Sequence, residues 1–597
     1  MKINQSLVTN RTSQKSIMRD LLPGVLSLLS AVPVAYLIYF INETFTDRPE
    51  RAVMIIGVLF AILFILPPAV YLISKRRLAS PWRLGLILIA TISVLLVSVY
   101  IYWVSSFVLF PADILTWSEG DFVNDILKFR LSYPLYSAQV NNDSFTYSPG
   151  SRLLTYFLAW LSGNGTSIPF YRMIQVVYTL LAAGISMFCC RKLVDITFPG
   201  RQSGDSKLWV FAWLPLFFLI GTNSLTNPFV HNLHDDALAQ LITVGAYWLL
   251  LEYVSTRKKL VLVLMTILPA IGFLVKQSLA VWALLYCVYL LFFDQPRSIP
   301  RIAIFTILGF GGIGLVLGGC YILWGNHFFY WTFAVLGKHG VSPLRSFQHM
   351  LDVWPYFVIG ILGGMILVRG KTFHVLLGPW LIWLFLILLE AYTSGIAWLR
   401  NHMGPGSLIA GVWFIAGLLK LWPSLTLTRK FHLQVWMRVF VVVVAIGLLF
   451  NGLGIVRIPI QPVTIDMYRY INDIEREFKG QSGRDILIDI GSWVYIKDGV
   501  IMKDRAPSIG ERGYSETGDF SGILQRLQEK HYSKILIRHL NEPDFWYDYY
   551  LWPKSSGIRQ ALLDNYREIR KIKGVQRNKH DQHLDYFFDD ISILVPK

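Results

Sequence analysis

The chain has 597 residues, 54% of them hydrophobic and only 16% charged, with a formal net charge of +17. A water-soluble protein of this length carries closer to a quarter charged residues, so the composition excludes a purely soluble enzyme. The positive balance does not point to nucleic acid, because most of the excess sits in loops between apolar runs, where Lys and Arg mark the cytoplasmic side.

Apolar runs of roughly 16 to 27 residues recur along the chain, among them Leu21–Glu43, Leu84–Phe110, Ala237–Val254 and Val435–Asn451. A helix needs about 20 such residues to cross a bilayer, so these runs predict spans. The first is too long for a cleavable leader. Basic clusters punctuate them: Lys2 to Arg19, Lys75–Arg77 with Arg83, Arg191/Lys192 with Arg201 and Lys207, Arg257–Lys259, Arg297/Arg301, Arg369/Lys371 and Arg429/Lys430/Arg438. Placing all of them inside gives about thirteen crossings, at 21–43, 51–74, 83–109, 170–191, 207–222, 236–254, 260–275, 277–293, 302–325, 350–368, 372–392, 405–421 and 436–455. The seventh and eighth meet at Lys276 with almost no loop. The expected organisation is an added hairpin within 1–82, a transmembrane module over 83–456 and an extracytoplasmic domain over 457–597, in the cytoplasmic membrane with the N-terminus inside. Four cysteines, Cys189, Cys190, Cys287 and Cys320, fall inside expected spans and imply no disulfide framework.

The outer segment 111–174 is too polar to span and too long for a turn. It holds an amphipathic stretch, Ser118 to Leu131, and an apolar half-span, Tyr147–Leu161. Both predict helices at the outer interface. From about residue 460 charged residues become frequent. Ile486–Ile490, Lys534–Arg538 and Ile591–Val595 read as strands, and Met467–Phe478, Gly522–Lys530 and Ile558–Ile569 as amphipathic helices. The fold class is therefore an α-helical polytopic membrane protein with a C-terminal α/β domain. That domain shows no phosphate loop, metal-ligand set or nucleophile elbow. Asp489, Asp504 and Arg505 read as structural polar residues near strand ends.

The chemistry-bearing residues gather at the outer ends of the spans. Asp113, Glu119, Asp121 and Asp125 lie in the first outer segment. Ser118 with Asp121 matches a capping box, and acids favour a helix N-terminus, which explains Asp121 better than Glu119. The other reading is a general base held at the membrane face. His231, Asn232, His234, Asp235 and Asp236 form a second cluster. It is either a solvated loop or a set that holds a hydroxylated substrate or a divalent cation, through His231, His234 and Asp235. Lys276-Gln277-Ser278 lies inside an apolar stretch, where a cation needs a partner: a substrate phosphate or an acid such as Asp235 or Asp236. Arg400-Asn401-His402 repeats the theme, with Arg172, Lys338 and His339 as weaker members. Acids and cations on one membrane face suit a lipid-phosphate substrate. The cations would stabilise the leaving phosphate, and a carboxylate would deprotonate the attacking hydroxyl.

In this order the motifs resemble the polytopic type C (GT-C) glycosyltransferases that use polyprenyl-phosphate sugars, including the protein O-mannosyltransferases and the lipid A aminoarabinose transferases. The likeness covers roughly residues 100–420. Trp117-Ser118-Glu119-Gly120-Asp121 is similar to the family's acidic motif, with Ser118-Glu119 replacing its Asp-Glu pair. Tyr133-Pro134-Leu135-Tyr136 and Tyr147-Ser148-Pro149-Gly150 follow, like its "G-x-P-L-Y" and "Y-P-P" segments. Phe170-Tyr171-Arg172 resembles the arginine opening the next span, His234 to Leu238 the "R-P-D-A-L" segment and Lys276-Gln277-Ser278 the "T-K-Q" segment. The resemblance implies an inverting glycosyltransferase moving a hexosyl or pentosyl group from a polyprenyl-phosphate donor to an extracytoplasmic glycan, lipid or protein. Glu119 or Asp121 would be the base, and Lys276 and Arg400 the phosphate holders. Asp235 and Asp236 would position the sugar or a metal. Tyr147, Arg172, His234, Gln277 and His402 would complete the substrate-binding set. Rival classes are a transporter or lipid-linked sugar flippase, which calls for inverted repeats and midplane charges, and an envelope scaffold. No internal repeat is visible, and the ionisable residues sit near span ends.

Overall fold

The computed structural model describes residues 105, 107–116, 119–198, 231–396, 400–427, 463–504, 518–542, 556–575 and 588–597. The expected spans 21–43, 51–74, 207–222 and 436–455, nearly all of 83–109, and Trp117 and Ser118 lie outside the described residues. Everything described from Phe107 onward belongs to one compact unit, residues 106–201 and 220–597.

The chain is an α-helical polytopic membrane protein. Among the described residues five helices are long and apolar enough to cross a bilayer, and a bent pair adds a sixth. The helices of the membrane part are α1 (Glu119–Arg130), α2 (Gly150–Leu161), α3 (Ile168–Thr197), α4 (Asp236–Thr256), α5 (Lys259–Val275), α6 (Val281–Phe292), α7 (Ile299–Trp324), α8 (Pro343–Asp352), α9 (Trp354–Leu367), α10 (Phe373–Ser394) and α11 (Gly404–Leu427). Starts are encoded locally. Ser167 accepts the Phe170 amide ahead of α3, and Ser298 the Arg301 amide ahead of α7, each with a proline in the first turn.

Ion pairs fix which ends lie together. Lys192 near the end of α3 meets Glu252 near the end of α4 at 2.5 Å. Asp236, which opens α4, meets Lys276, which follows α5, at 2.6 Å. α4 and α5 are therefore antiparallel. α6 returns, so that Asp294 after it reaches Tyr253 Oη (3.1 Å), Arg301 (2.9 Å) and Arg257. Lys276 thus sits where the chain turns at one end of the bundle, here the site end. At the opposite end the Lys420 ammonium bonds the Ile366 and Leu367 carbonyls. α5 with 17 residues rises only about 25 Å, short of a full hydrocarbon core.

The helices divide into core and lipid-facing members. In α11 83% of the apolar window is buried, against 11% in α7. Ile307, Leu315 and Ile322 of α7 are 70–84% exposed, and a bilayer is the environment that accommodates them. The expected span 350–368 holds α9 and the last residues of α8, and the two helices meet at a bend of 66°. α9 is the apolar one. α8 is amphipathic, exposing Leu344, Phe347 and Leu351 at the i, i+3, i+7 spacing of an interfacial helix.

The C-terminal segment carries α12 (Ile465–Phe478), β1 (Ile486–Ile488), α13 (Trp493–Asp498), α14 (Ser521–Gln528), β2 (Lys534–Arg538), α15 (Ile558–Asn565), β3 (Tyr566–Ile572) and β4 (Ile591–Pro596). Its sheet has order β1-β2-β4-β3, with β1 parallel to β2 and both β4 pairings antiparallel. The helix expected over Ile558–Ile569 ends at Asn565, and β3 begins at Tyr566. This edge strand exposes its whole middle, so it lacks the in–out alternation that would have marked it in the sequence.

Candidate active site at the end of the bundle

The acidic motif opens α1. Glu119 is fully buried, and both its oxygens are committed to Arg172, Oε1 to Nε at 2.9 Å and Oε2 to Nη2 at 2.5 Å. Oε1 also accepts the Leu233 amide at 3.0 Å. Arg172 spends its remaining donors on the Phe107, Phe110 and Ala112 carbonyls, at 2.6–2.9 Å. The pair is a buried fork that ties α3, the lead-in to α1 and the 231–235 loop together. Asp121 is buried one residue on from Gly120. Phe122 beside it packs edge-on against Phe145 and His234.

The second cluster centres on Asp236. Its Oδ1 takes Lys276 Nζ at 2.6 Å, and its Oδ2 takes Asn401 Nδ2 at 2.7 Å and lies 2.8 Å from His234 Nδ1. Lys276 is 7% exposed and gives one of its three N–H groups to Asp236. Arg400 opens the turn Arg400–Met403 that delivers Asn401. His402 is within electrostatic reach of Lys276, Asp236 and His234. Gln277 Nε2 donates to the Thr146 carbonyl at 3.1 Å, and the Tyr147 ring meets His234 edge-on.

Asp235 differs from its neighbour. It is 1% exposed, and neither carboxylate oxygen has a hydrogen-bond partner among the described residues. Burial pushes its carboxyl up to about 6, against the pull of Arg152, His234 and Lys276. Burial and the charge of Arg172 hold His231 down at about 3, so its imidazole is neutral. Among the described residues, His231, His234 and Asp235 included, no three His, Cys, Asp or Glu side chains are grouped so as to hold a metal ion. His231 instead packs edge-on against Phe107, and His234 faces Asp236.

No protein-family model and no curated protein matches the sequence. Among solved structures the chain is similar to ArnT from Cupriavidus metallidurans. The apo form is 13% identical with a TM-score of 0.49, the alignment covering 84% of this chain and 97% of that one. The form bound to undecaprenyl phosphate gives the same identity and TM-score, over 87% and 98%.

Several residues at this end escaped the sequence reading. Arg152 is 1% exposed, pairs with Asp125 at 2.6 Å and donates to the Ser148 and Tyr147 carbonyls at 2.7 and 2.8 Å. It stands alone in the apolar half-span that became α2, and a lone cation in such a run is itself the signal. Lys128 and Asp143 form a second buried pair at 3.3 Å. Glu390 bonds the Gly406 amide with both oxygens, at 2.9 and 3.1 Å. No local pattern marked either arrangement.

Proposed function

We propose that the protein is a membrane glycosyltransferase that moves a sugar from a polyprenyl-phosphate donor to an extracytoplasmic hydroxyl, with inversion at the anomeric carbon. The observation that carries this reading is the pairing, at one end of the bundle, of a buried ammonium and a buried carboxylate: among the described residues the first has N–H donors to spare and the second no hydrogen bond. Lys276 offers its donors to the phosphate. Asp235 has two oxygens for sugar hydroxyls. Asp236 is occupied in orienting Lys276, so its part is to position rather than to react.

In the step itself the acceptor oxygen bonds to the anomeric carbon while the bond from that carbon to the phosphate oxygen breaks. The electron pair leaves with polyprenyl phosphate, and Lys276 stabilises the charge that develops there. The hydroxyl proton goes to a carboxylate of the acidic motif. Glu119 is engaged on both oxygens with Arg172, which makes it a strut and leaves Asp121 as the base. Arg400, at the head of the turn beside Asn401, is a second cation for the donor.

The test uses the full chain in lipid nanodiscs with a panel of polyprenyl-phosphate hexoses and pentoses and an extract of cell-envelope glycolipids and glycans. Release of polyprenyl phosphate is followed. At least one donor is expected to turn over, and Lys276→Ala is expected to raise its KM. If no donor in the panel is consumed, or if Lys276→Ala leaves turnover and KM unchanged, the reading is wrong.

A further inference from the structure

The acidic turn is gripped from a segment nearly 400 residues away in the chain. The Asp113 carboxylate accepts the Ser492 amide at 2.7 and 2.9 Å and the Trp493 amide at 3.1 Å. Ser492 Oγ donates to the Gly120 carbonyl at 2.7 Å, between Glu119 and Asp121. One turn on, Asn124 Oδ1 accepts the Met502 amide at 3.3 Å. Ser492 is fully buried and Asp113 is 2% exposed, so both partners have left water for this contact.

The backbone around the contact is built for close approach. Gly491 has φ +62°, and a Cβ placed there would lie 2.6 Å from Asp113 Oδ1 and 2.7 Å from Ile114 Cγ2. Glycine adopts that conformation without strain, and its missing Cβ leaves that space. The clasp holds the lead-in to α1 through Asp113 and its first turn through Gly120. These two points flank the carboxylates at 119 and 121.

We propose that the sheet-bearing C-terminal segment is a positioning element of the active site, and that Ser492 and Asp113 hold the turn carrying Asp121 in register with the donor through the clasp at Gly120. The inference rests on the glycosyltransferase reading above. It gives the C-terminal segment a part in the chemistry without its supplying a reacting group. A base must sit within hydrogen-bond reach of the hydroxyl it deprotonates, and a displacement of about 1 Å costs on the order of 10²-fold in rate. A bond to the carbonyl between the two acids controls that distance more directly than contacts elsewhere on the helix.

The experiment compares wild type, Ser492→Ala and Asp113→Asn, as full chains in nanodiscs, using the donor that the wild type consumes. Asp113→Asn keeps the shape but sets an amide N–H₂ against backbone N–H donors. Expected for both variants is a kcat lower by roughly 10–100-fold, with the donor KM and the affinity for sugar-free polyprenyl phosphate unchanged; the melting temperature falls more for Asp113→Asn, which leaves buried amides without an acceptor, than for Ser492→Ala. The proposal is overturned if kcat stays within about twofold of wild type. It is also overturned if kcat, polyprenyl-phosphate affinity and melting temperature fall together, which is the pattern of a merely structural contact. A wild type that consumes no donor overturns the underlying reading, and that outcome is visible before any variant is made.

Discussion

At the scale of single residues, two acids two positions apart in the motif have acquired different work. Glu119 and Arg172 are both fully buried, and removing one partner of such a pair leaves an uncompensated charge. Glu119→Gln is therefore expected to lose about 3–5 kcal/mol of stability and most of its folded yield. Asp121→Asn should fold normally and lose about 10²–10⁴-fold in turnover. Thermal melts beside the nanodisc assay check both, and a well-folded but inactive Glu119→Gln would return the base to Glu119. Asp235 yields a prediction in pH. Its folded-state value of about 6 lies above the ordinary 3.8 of an aspartate, so the folded chain keeps a proton that the unfolded chain has lost. Stability then falls as pH rises from about 4 to about 6, and the cost is complete above that window. Asp235→Asn should raise the melting temperature at about pH 7.5 and make no difference at about pH 4. A variant that melts lower at the higher pH would mean that the charged form is the stabilised one.

At the scale of elements, the helices with strong periodicity or a long apolar run were legible in the sequence, because burial in lipid demands that composition. α3, α4, α7 and α10 match their expected spans closely. The turn at Lys276 was also legible, since a charge inside 34 otherwise mostly apolar residues, Leu260 to Phe293, marks an end rather than a middle. What the sequence did not reveal are pairings across long separations: Glu119 with Arg172, Asp236 with Asn401, and Asp113 with Ser492. No local pattern encodes which of several acids meets which donor. The polar residues Arg345, Ser346, Gln348 and His349 kept most of α8 out of the span expected at 350–368, but composition did not mark the bend that separates it from α9. Packing between α9 and α11 rests on a finer feature. A Cβ on Gly363 would collide with the Trp413 carbonyl and the Phe414 amide, which are backbone and have little room to give. A Cβ on Gly184 in α3 would meet nothing within 4 Å among the described residues. Gly363→Ala is therefore expected to lower the melting temperature. Gly184→Ala should leave it unchanged or raise it, since alanine is favoured over glycine in a helix by about 0.5–1 kcal/mol. Equal effects at the two positions would rule out close backbone approach as the reason for Gly363.

At the scale of the whole molecule, both ends of the bundle carry ion pairs, but the candidate chemistry lies at one end. Lys192, Arg257, Arg301 and Lys420 collect at the end away from the site, whereas Glu119, Asp121, Asp235 and Asp236 lie at the site end, against which the C-terminal segment is clasped. Short loops rich in Lys and Arg stay on the cytoplasmic side during insertion, and acids contribute little to that choice. The expected orientation therefore puts Lys258 inside and Gln481 outside. Both residues are exposed, so a cysteine at either position is open to aqueous reagents. The native cysteines interfere little, because Cys189, Cys190 and Cys320 are buried, and Cys287→Ala removes the partly exposed one. In right-side-out vesicles a membrane-impermeant maleimide should label Gln481→Cys at once and Lys258→Cys only after the membrane is opened. The reverse pattern would put the candidate site in the cytoplasm. An acceptor outside the cell membrane would then be beyond reach of Asp121, and the proposed transfer would have to serve a cytoplasmic acceptor.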